Sequence, residues 1–150
     1  MNIYIGADHR GFEWKKAITA YLKDQGHNVT DVGSHQQGVD CDYPQIAYDV
    51  ATRVAASIDA RGILLCMTGL GLSIAANKVP GAYAALCYTE QAAILSRQHN
   101  NANILVLGSL FVDKDSIYPI ITTWLATAFE GGRHLRRTDQ VKKIEKEFLK

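Results

Sequence analysis

The chain has 150 residues, of which 47% are hydrophobic and 21% are charged, and its formal net charge is +1. This composition is typical of a globular protein and excludes a disordered or low-complexity chain. The length suits one domain with a sizeable core, so we expect a single domain over 1–150. The near-neutral charge gives no reason to expect nucleic acid or an anionic membrane surface as a partner.

The sequence also predicts a cytoplasmic protein. No stretch approaches the roughly 18 apolar residues of a membrane span, and residues 3–5 are strand-like rather than part of a signal peptide. The three cysteines, Cys41, Cys66 and Cys87, are odd in number and lack Cys-x-x-Cys spacing. A disulfide framework or a zinc cluster is therefore not expected, and a reducing compartment is favoured.

Short apolar segments alternate along the chain with helix-like segments. Helices that separate consecutive strands indicate a parallel sheet that is covered on both faces. We therefore predict an α/β protein with a three-layer, Rossmann-like fold, in which a five-stranded parallel sheet has helices on both faces. The predicted strands are 2–7, 29–32, 62–66, 82–87 and 104–107.

The helix-like segments have apolar residues at helical spacing, and several have terminal signals. Gly26 can end a helix, Pro44 fits a first turn, and Thr89 can cap the helix that follows it. A polar loop is predicted over 33–42. The predicted helices are 12–25, a segment from Pro44, about 74–80, 89–98, 117–128 and a charged C-terminal tail from about 139.

The most informative segment is the strand that ends at Cys66 and the glycine loop after it. The loop places the Cys66 thiol and the Thr68 hydroxyl beside a turn whose backbone amides can face an anion. Gly69 and Gly71 allow that turn to lie close to a ligand. This combination suggests chemistry rather than binding alone.

We expect Ser73 to cap a helix that begins near Ile74, and the positive potential of this helix start to lower the pKa of Cys66. One alternative is that Cys66 is a small buried hydrophobic residue. Another is a dinucleotide-binding loop, with Glu90 as the ribose ligand. Ile74 stands where the third glycine of that motif belongs, which disfavours this second alternative.

Polar side chains follow two of the predicted strands. Asp8 and His9 come after the first strand, and Cys66 and Thr68 come after the third. Ligands of parallel sheets bind at the carboxyl ends of the strands, so these residues should lie together. The alternative for Asp8 is a cap of the helix that begins after Gly11.

Two further segments are candidates for chemistry. His99 and Asn100 precede the last strand, and their alternative is a loop on the surface. The segment 131–137 has two glycines and four basic side chains, which suit an anion such as phosphate; its alternative is the solvated start of a helix. The five histidines lack metal-binding spacings such as His-x-x-x-His, so no metal is expected.

Six blocks of sequence occur in order from the first strand to the tail: Gly-Ala-Asp-His at 6–9, Asp-Tyr-Pro at 42–44, 66–78, Ser-Arg-Gln-His-Asn at 96–100, 102–105 and 130–134. In these blocks the chain resembles the ribose-5-phosphate isomerase type B family, which includes galactose-6-phosphate and allose-6-phosphate isomerases. The resemblance implies an aldose–ketose isomerase that works through a cis-enediolate without a metal or organic cofactor.

The resemblance also implies roles for particular residues. Cys66 would be the base that moves a proton between C1 and C2, and Thr68 would help to shift protons among the sugar oxygens. His99, with Asp8, would open the furanose ring by acid–base catalysis. The enediolate charge would be stabilised by Asn100 and by the backbone amides of Met67, Thr68, Gly69, Leu70 and Gly71.

The substrate's other contacts are implied in the same way. His9, Arg133 and Arg137 would hold the phosphate, and Tyr43 would line the sugar pocket. Members of the family are dimers or tetramers whose sites use residues of a neighbouring subunit. The resemblance therefore implies a homodimer or homotetramer with shared active sites, in which His99, Asn100 and the segment 133–137 serve the cysteine of another copy.

The His99-Asn100 pair resembles that of the ribose-phosphate members of the family, which implies ribose 5-phosphate and ribulose 5-phosphate as the substrates. Two positions differ from the family pattern: Met67 replaces a usual glycine, and Leu110 stands where many members place a phosphate-contacting arginine. At residue 110 we therefore expect one missing phosphate contact. The alternatives are an isomerase of another sugar or sugar phosphate (allose 6-phosphate, galactose 6-phosphate, a tetrose phosphate or an unphosphorylated aldose) and a non-catalytic nucleotide- or sugar-binding module.

Overall fold

The computed structural model describes residues 1–33, 35–36, 38 and 41–148. Its strands are β1 (Asn2–Ala7), β2 (Asn28–Gly33), β3 (Arg61–Cys66), β4 (Ala84–Leu86) and β5 (Ile104–Gly108). They form one sheet in the order β2-β1-β3-β5-β4, and every neighbouring pair is parallel. The predicted five-stranded parallel sheet is confirmed.

Helices cover both faces of this sheet. The helices are α1 (Phe12–Asp24), α2 (Tyr43–Ala55), α3 (Leu70–Ala76), α4 (Glu90–Asn100), α5 (Ile117–Ala126) and α6 (Arg133–Phe148). Buried residues of α1, α4 and α5 form a core cluster on one face, and those of α2 and α3 form a second cluster on the other. The three-layer arrangement is therefore confirmed. In the described part of the chain, no helix is long and apolar enough to cross a membrane.

The central strand β3 determines which way the site residues point. Side chains alternate between the two faces of a strand. Ile63 and Leu65 lie in the core cluster that contains α1 and α5, whereas Leu64 and Cys66 lie in the cluster that contains α2 and α3. Cys66 thus ends the strand on the α2 side of the sheet.

Helix α3 differs from its prediction at both ends. It spans Leu70–Ala76 rather than about 74–80, so Ser73 lies inside the helix and does not cap it. Its N-cap is Gly69, which has a φ of 81°. This left-handed conformation is readily adopted by glycine, and it turns the chain into the helix directly after the glycine.

The C-terminal helix begins six residues before the position predicted for it. Helix α6 starts at Arg133, directly after Gly131 and Gly132, whose φ angles are 70° and 55°. The basic segment is therefore mostly the first turns of a helix. Strand β4 and helix α5 are shorter than predicted, and residues 34, 37, 39 and 40 of the predicted loop lie outside the described residues.

A buried ion pair joins α1 to the end of β2, ahead of the segment that leads to the site. Lys15 is only 1% exposed. Its Nζ donates to Asp31 Oδ1 at 2.7 Å and to the Gly33 carbonyl at 2.5 Å. An ammonium group can be buried at low cost when it is paired and hydrogen-bonded in this way.

Replacing Lys15 with methionine should lower the free energy of unfolding by about 3 kcal/mol. Removing one partner of a buried pair costs about 3–5 kcal/mol, and the low end applies because the Asp31 side chain is 36% exposed and can be hydrated. Urea unfolding at fixed protein concentration measures the change. The matched control is Lys16→Met, an exposed neighbour, which should change stability by less than about 0.5 kcal/mol. Equal losses of stability in Lys15→Met and Lys16→Met would mean that the buried ion pair with Asp31 is not the cause.

Candidate active site

The glycine loop after β3 holds the Cys66 thiol and the Thr68 hydroxyl in one short turn. Cys66 is 8% exposed, and its Sγ accepts a hydrogen bond from the Gly69 amide at 2.9 Å. The Thr68 hydroxyl accepts from the Leu70 amide at 3.3 Å. The Tyr88 hydroxyl donates to the Thr68 carbonyl at 3.2 Å. Backbone amides therefore fix both side chains that carry the predicted proton transfers.

Helix α2 forms a wall beside this loop. Its first residue, Tyr43, packs its ring over Gly71, where a Cβ atom would lie 2.7 Å from the ring. Only glycine at residue 71 leaves room for Tyr43 in this position. Tyr43, which the resemblance assigns to the sugar pocket, therefore lies beside the glycine loop.

The pKa of Cys66 lies above its ordinary value, in the opposite direction to the sequence prediction. Burial of the thiol raises the pKa most, and the nearby charge of Asp8 raises it further. Hydrogen bonds from the Gly69 and Thr68 amides and from the Thr68 side chain act in the lowering direction but do not overcome burial. The prediction was wrong because the sequence did not show how deeply the thiol is buried.

Asp8 caps the turn between β1 and α1. Its Oδ1 accepts hydrogen bonds from the Arg10 and Gly11 amides, both at 3.0 Å. The N-cap of α1 is Gly11, with no side-chain cap, so Asp8 closes the preceding turn and does not cap the helix as the alternative for it proposed. The carboxylate also lies near enough to the Cys66 thiol to influence it.

A cavity of about 400 Å³ opens at the carboxyl ends of β1 and β3. It brings together most of the site residues that were predicted from these two strands. The residues that line it are Asp8, His9, Arg10, Cys41, Asp42, Tyr43, Cys66, Met67, Thr68 and Gly71. This edge of the sheet is where α/β proteins bind ligands, as predicted.

His99 and Asn100 lie at the amino ends of the strands, opposite the carboxyl ends where Cys66 lies. They end α4, and the chain then enters β5 at its amino end. There the Asn103 carbonyl accepts from the Gly62 amide at the start of β3. Strand β3 separates that point from Cys66 by roughly 13 Å. One chain therefore holds two separate groups of predicted site residues.

The second group is built on α4 and the start of α6. The His99 and His134 rings stack in parallel, with centroids 4.1 Å apart and planes 8° apart. His134 is buried, and its Nε2 lies 3.4 Å from Glu130 Oε2 and 3.4 Å from the Arg133 Nε that donates to it. Burial lowers the pKa of His134, as do the charges of His99 and Arg133. Asn100 lines a different cavity, of about 280 Å³, beside α6.

Arg133 and Arg137 project from the first turns of α6. Both are exposed, and a spacing of four residues places them on one face of the helix. They lie beside the stacked histidines rather than in the cavity of Cys66. The structure thus keeps the predicted phosphate-binding arginines with the second group.

Among the described residues, one cluster has the composition of a metal site: His99, Glu130 and His134, whose ligand atoms lie within 4.8 Å of one another. Histidine spacing did not reveal it, because the cluster joins α4 to the start of α6. A histidine nitrogen binds a metal through a lone pair in the ring plane. The lone pairs of two parallel rings do not converge on one point. The observed stacking of His99 and His134 therefore disfavours a metal ion shared by the two rings.

Arg10 was not singled out from the sequence, and Arg97 and His134 were noted only as members of longer segments. Arg97 is 4% exposed and donates to the Ala102 carbonyl, to the Asn101 side chain and to the Thr127 carbonyl, which fixes the end of α4. Burial lowers its pKa to about 10. Each makes at least one tertiary contact that a local motif does not reveal: Arg10 with Met67, Arg97 with Thr127 and His134 with His99.

Comparison with known proteins gives a consistent result. A probable ribose-5-phosphate isomerase B of Mycoplasma genitalium is 46% identical over 147 residues, which cover 97% of each chain. A solved structure of ribose-5-phosphate isomerase B from Clostridium thermocellum aligns with a TM-score of 0.95 at 46% identity over 99% of both chains. A Mycoplasma genitalium structure with bound ribulose-5-phosphate aligns with a TM-score of 0.94 at 46% identity, over 97% of both chains.

The family model described as Ribose/Galactose Isomerase matches residues 3–141, which include both groups of site residues. The resemblance predicted from the sequence blocks is confirmed. The chain belongs to the ribose/galactose isomerase family.

Proposed function

We propose that the protein interconverts ribose 5-phosphate and ribulose 5-phosphate through a cis-enediolate, with Cys66 as the base. The observation that carries this proposal is a nearly buried thiol at the base of a cavity, held by the Gly69 amide beside the Thr68 hydroxyl. Support for the substrate comes from the similar chains named ribose-5-phosphate isomerase B and from the one solved with ribulose-5-phosphate.

The reaction needs a proton to move between two adjacent carbons. The Cys66 thiolate takes the proton from C2 of the open-chain aldose, and the electron pair forms the C1–C2 double bond of the enediolate. The thiol then returns the proton to C1 as the carbonyl forms at C2. Thr68 moves the accompanying proton between the two oxygens. The Gly69 amide donates to the sulfur and so stabilises the thiolate that starts the reaction.

The site is completed in this proposal by a second copy of the chain. His99 would open the furanose ring and Asn100 would bind the enediolate oxygens, but in one chain both lie across the sheet from Cys66. Leu70 and Ile74 are 54% and 65% exposed on one face of α3, beside the cavity. A second copy would cover this apolar surface and bring its own His99 to the thiol.

The phosphate contacts divide between the two copies in the same way. His9 lines the cavity of Cys66, whereas Arg133 and Arg137 lie on α6 with the second group. A shared site would bring these cations together around one phosphate. Bidentate arginine contacts would give the strongest part of that binding.

A panel of sugars tests the reaction. Ribose 5-phosphate should be turned over in D2O with deuterium entering C1 of the ribulose 5-phosphate formed, and ribose without phosphate should react far more slowly. Turnover should persist in EDTA, because Cys66 and Thr68 carry the proton transfers. Proton NMR measures both results. Preferential turnover of allose 6-phosphate, galactose 6-phosphate or a tetrose phosphate would contradict the substrate, and loss in EDTA that a divalent ion restores would contradict the mechanism.

A further inference from the structure

Arg10 reaches from the turn after β1 across the cavity of Cys66. Its backbone amide donates to Asp8 Oδ1 at 3.0 Å, which fixes the residue at the edge of the cavity. Its Nη1 lies 2.9 Å from the sulfur of Met67. Both Arg10 and Met67 line the cavity. The guanidinium therefore sits over the residue that directly follows the catalytic thiol.

The charge of Arg10 has no carboxylate partner among the described residues. The Asp8 carboxylate accepts the amides of Arg10 and Gly11 instead. A thioether is a weak acceptor, and a guanidinium carries five N–H donors, so most of the donors of Arg10 are available to a ligand. Among the described residues that line the cavity, Arg10 is the one that is always cationic.

The depth of each residue in the cavity indicates which part of a ligand Arg10 would meet. Cys66 is 8% exposed at the base, whereas Met67 is 37% exposed and Arg10 is exposed at the rim. The reacting carbons of a sugar phosphate must contact the sulfur of Cys66. The phosphate lies at the other end of the carbon chain and is the most strongly hydrated group, so it belongs at the rim.

We propose that Arg10 binds the phosphate of the sugar phosphate, with the Met67 thioether holding the guanidinium over the cavity. The inference rests on the proposed function and adds a binding residue to it. Guanidinium matches phosphate geometry with two parallel hydrogen bonds. Met67, which departs from the glycine of the family pattern, thereby has a function in this chain.

The contact of Arg10 with Met67 also concerns Leu110, where the sequence predicts that one phosphate contact is missing. The Leu110 amide donates to the Met67 carbonyl at 2.8 Å, while Arg10 contacts the Met67 side chain. Residues 10 and 110 therefore both contact Met67, the first through its side chain and the second through its backbone amide. Arg10 supplies a positive charge next to the place where Leu110 supplies none.

The test compares Arg10→Ala with Lys16→Ala, which removes an equal charge from an exposed site on α1 that does not line the cavity. Arg10→Ala should raise KM for ribose 5-phosphate about ten- to a hundredfold. It should leave kcat within about twofold, because a contact to the non-reacting phosphate is uniform binding. Inhibition by inorganic phosphate should weaken in parallel. Lys16→Ala should leave all three quantities unchanged.

Restoring a positive charge at residue 110, which also contacts Met67, provides a rescue. In the double variant Arg10→Ala/Leu110→Arg, KM and phosphate inhibition should return most of the way to the wild-type values, which a purely structural role for Arg10 would not allow. Arg10→Gln, which keeps a polar side chain but removes the charge, should behave like Arg10→Ala and guards against a folding defect.

Three outcomes would overturn the inference: an unchanged KM in Arg10→Ala, an equal change in Lys16→Ala, or a loss of kcat with KM unchanged, which would place Arg10 at the reacting carbons. Failure of the proposed function has a different signature. In that case the wild-type protein itself would not turn over ribose 5-phosphate.

Discussion

Cys66→Ala should lower kcat for ribose 5-phosphate by about 10²–10⁴-fold, the usual contribution of a positioned acid–base group. Alanine leaves no group at the base of the cavity that can take the proton from C2. Initial rates measure the loss, and binding of inorganic phosphate should persist because the phosphate contacts remain. An active Cys66→Ala variant would exclude the thiol as the base.

Cys87→Ala is the matched control for this variant. Cys87 is 1% exposed, and burial raises its pKa as it does for Cys66. It lies in the core cluster on the other face of the sheet and does not line the cavity. Its replacement should therefore leave kcat and KM unchanged. Labelling of Cys87 by iodoacetamide that tracks the loss of activity, with Cys66 unmodified, would overturn the assignment.

The raised pKa of Cys66 gives the same experiment a pH readout. Raising the pKa reduces the fraction of thiolate at neutral pH, and that fraction grows as the pH rises through the raised value. The kcat/KM of the wild type should therefore continue to increase with pH beyond the pKa of an ordinary thiol. The rate of inactivation by iodoacetamide should increase over the same pH range. A profile that is already flat at neutral pH would mean that the ionisation of this thiol does not control the proton transfer.

The fold was largely predictable because its signals are local. Continuous apolar runs marked the central strands, and helical stripes between them required parallel pairing. The ends of elements were less predictable where a glycine decided them. Gly69 starts α3 through its left-handed conformation, and Gly131 and Gly132 precede α6 in the same region, although a sequence does not show which glycine adopts a positive φ.

The candidate site was predictable only in part. Asp8, Cys66 and Thr68 follow parallel strands, so their proximity could be deduced from the sheet alone. The contact between Arg10 and Met67 joins residues 57 positions apart and has no sequence signal. The direction of the pKa of Cys66 depended on burial, which is a property of the packed structure.

Because Cys66 and His99 lie far apart within one chain, mixing two inactive variants should restore activity. Cys66→Ala and His99→Asn should each be nearly inactive as pure proteins. If each site takes Cys66 from one copy and His99 from the other, a mixed dimer contains one site with both lesions and one intact site. Random exchange makes half of the dimers mixed, so the mixture should recover about a quarter of the wild-type activity.

A second pair of variants controls for exchange itself. Cys66→Ala and Thr68→Ala both lie in the same cavity, so every site of their mixed dimer carries one lesion. This mixture should show no more than the average of the two pure variants. Exchange is verified with two affinity tags in each experiment. Helix α4 places His99 across the sheet from the thiol. Recovery in the first mixture alone would therefore show that the catalytic unit is a pair of chains. No recovery after verified exchange would mean that Cys66 and His99 act within one chain.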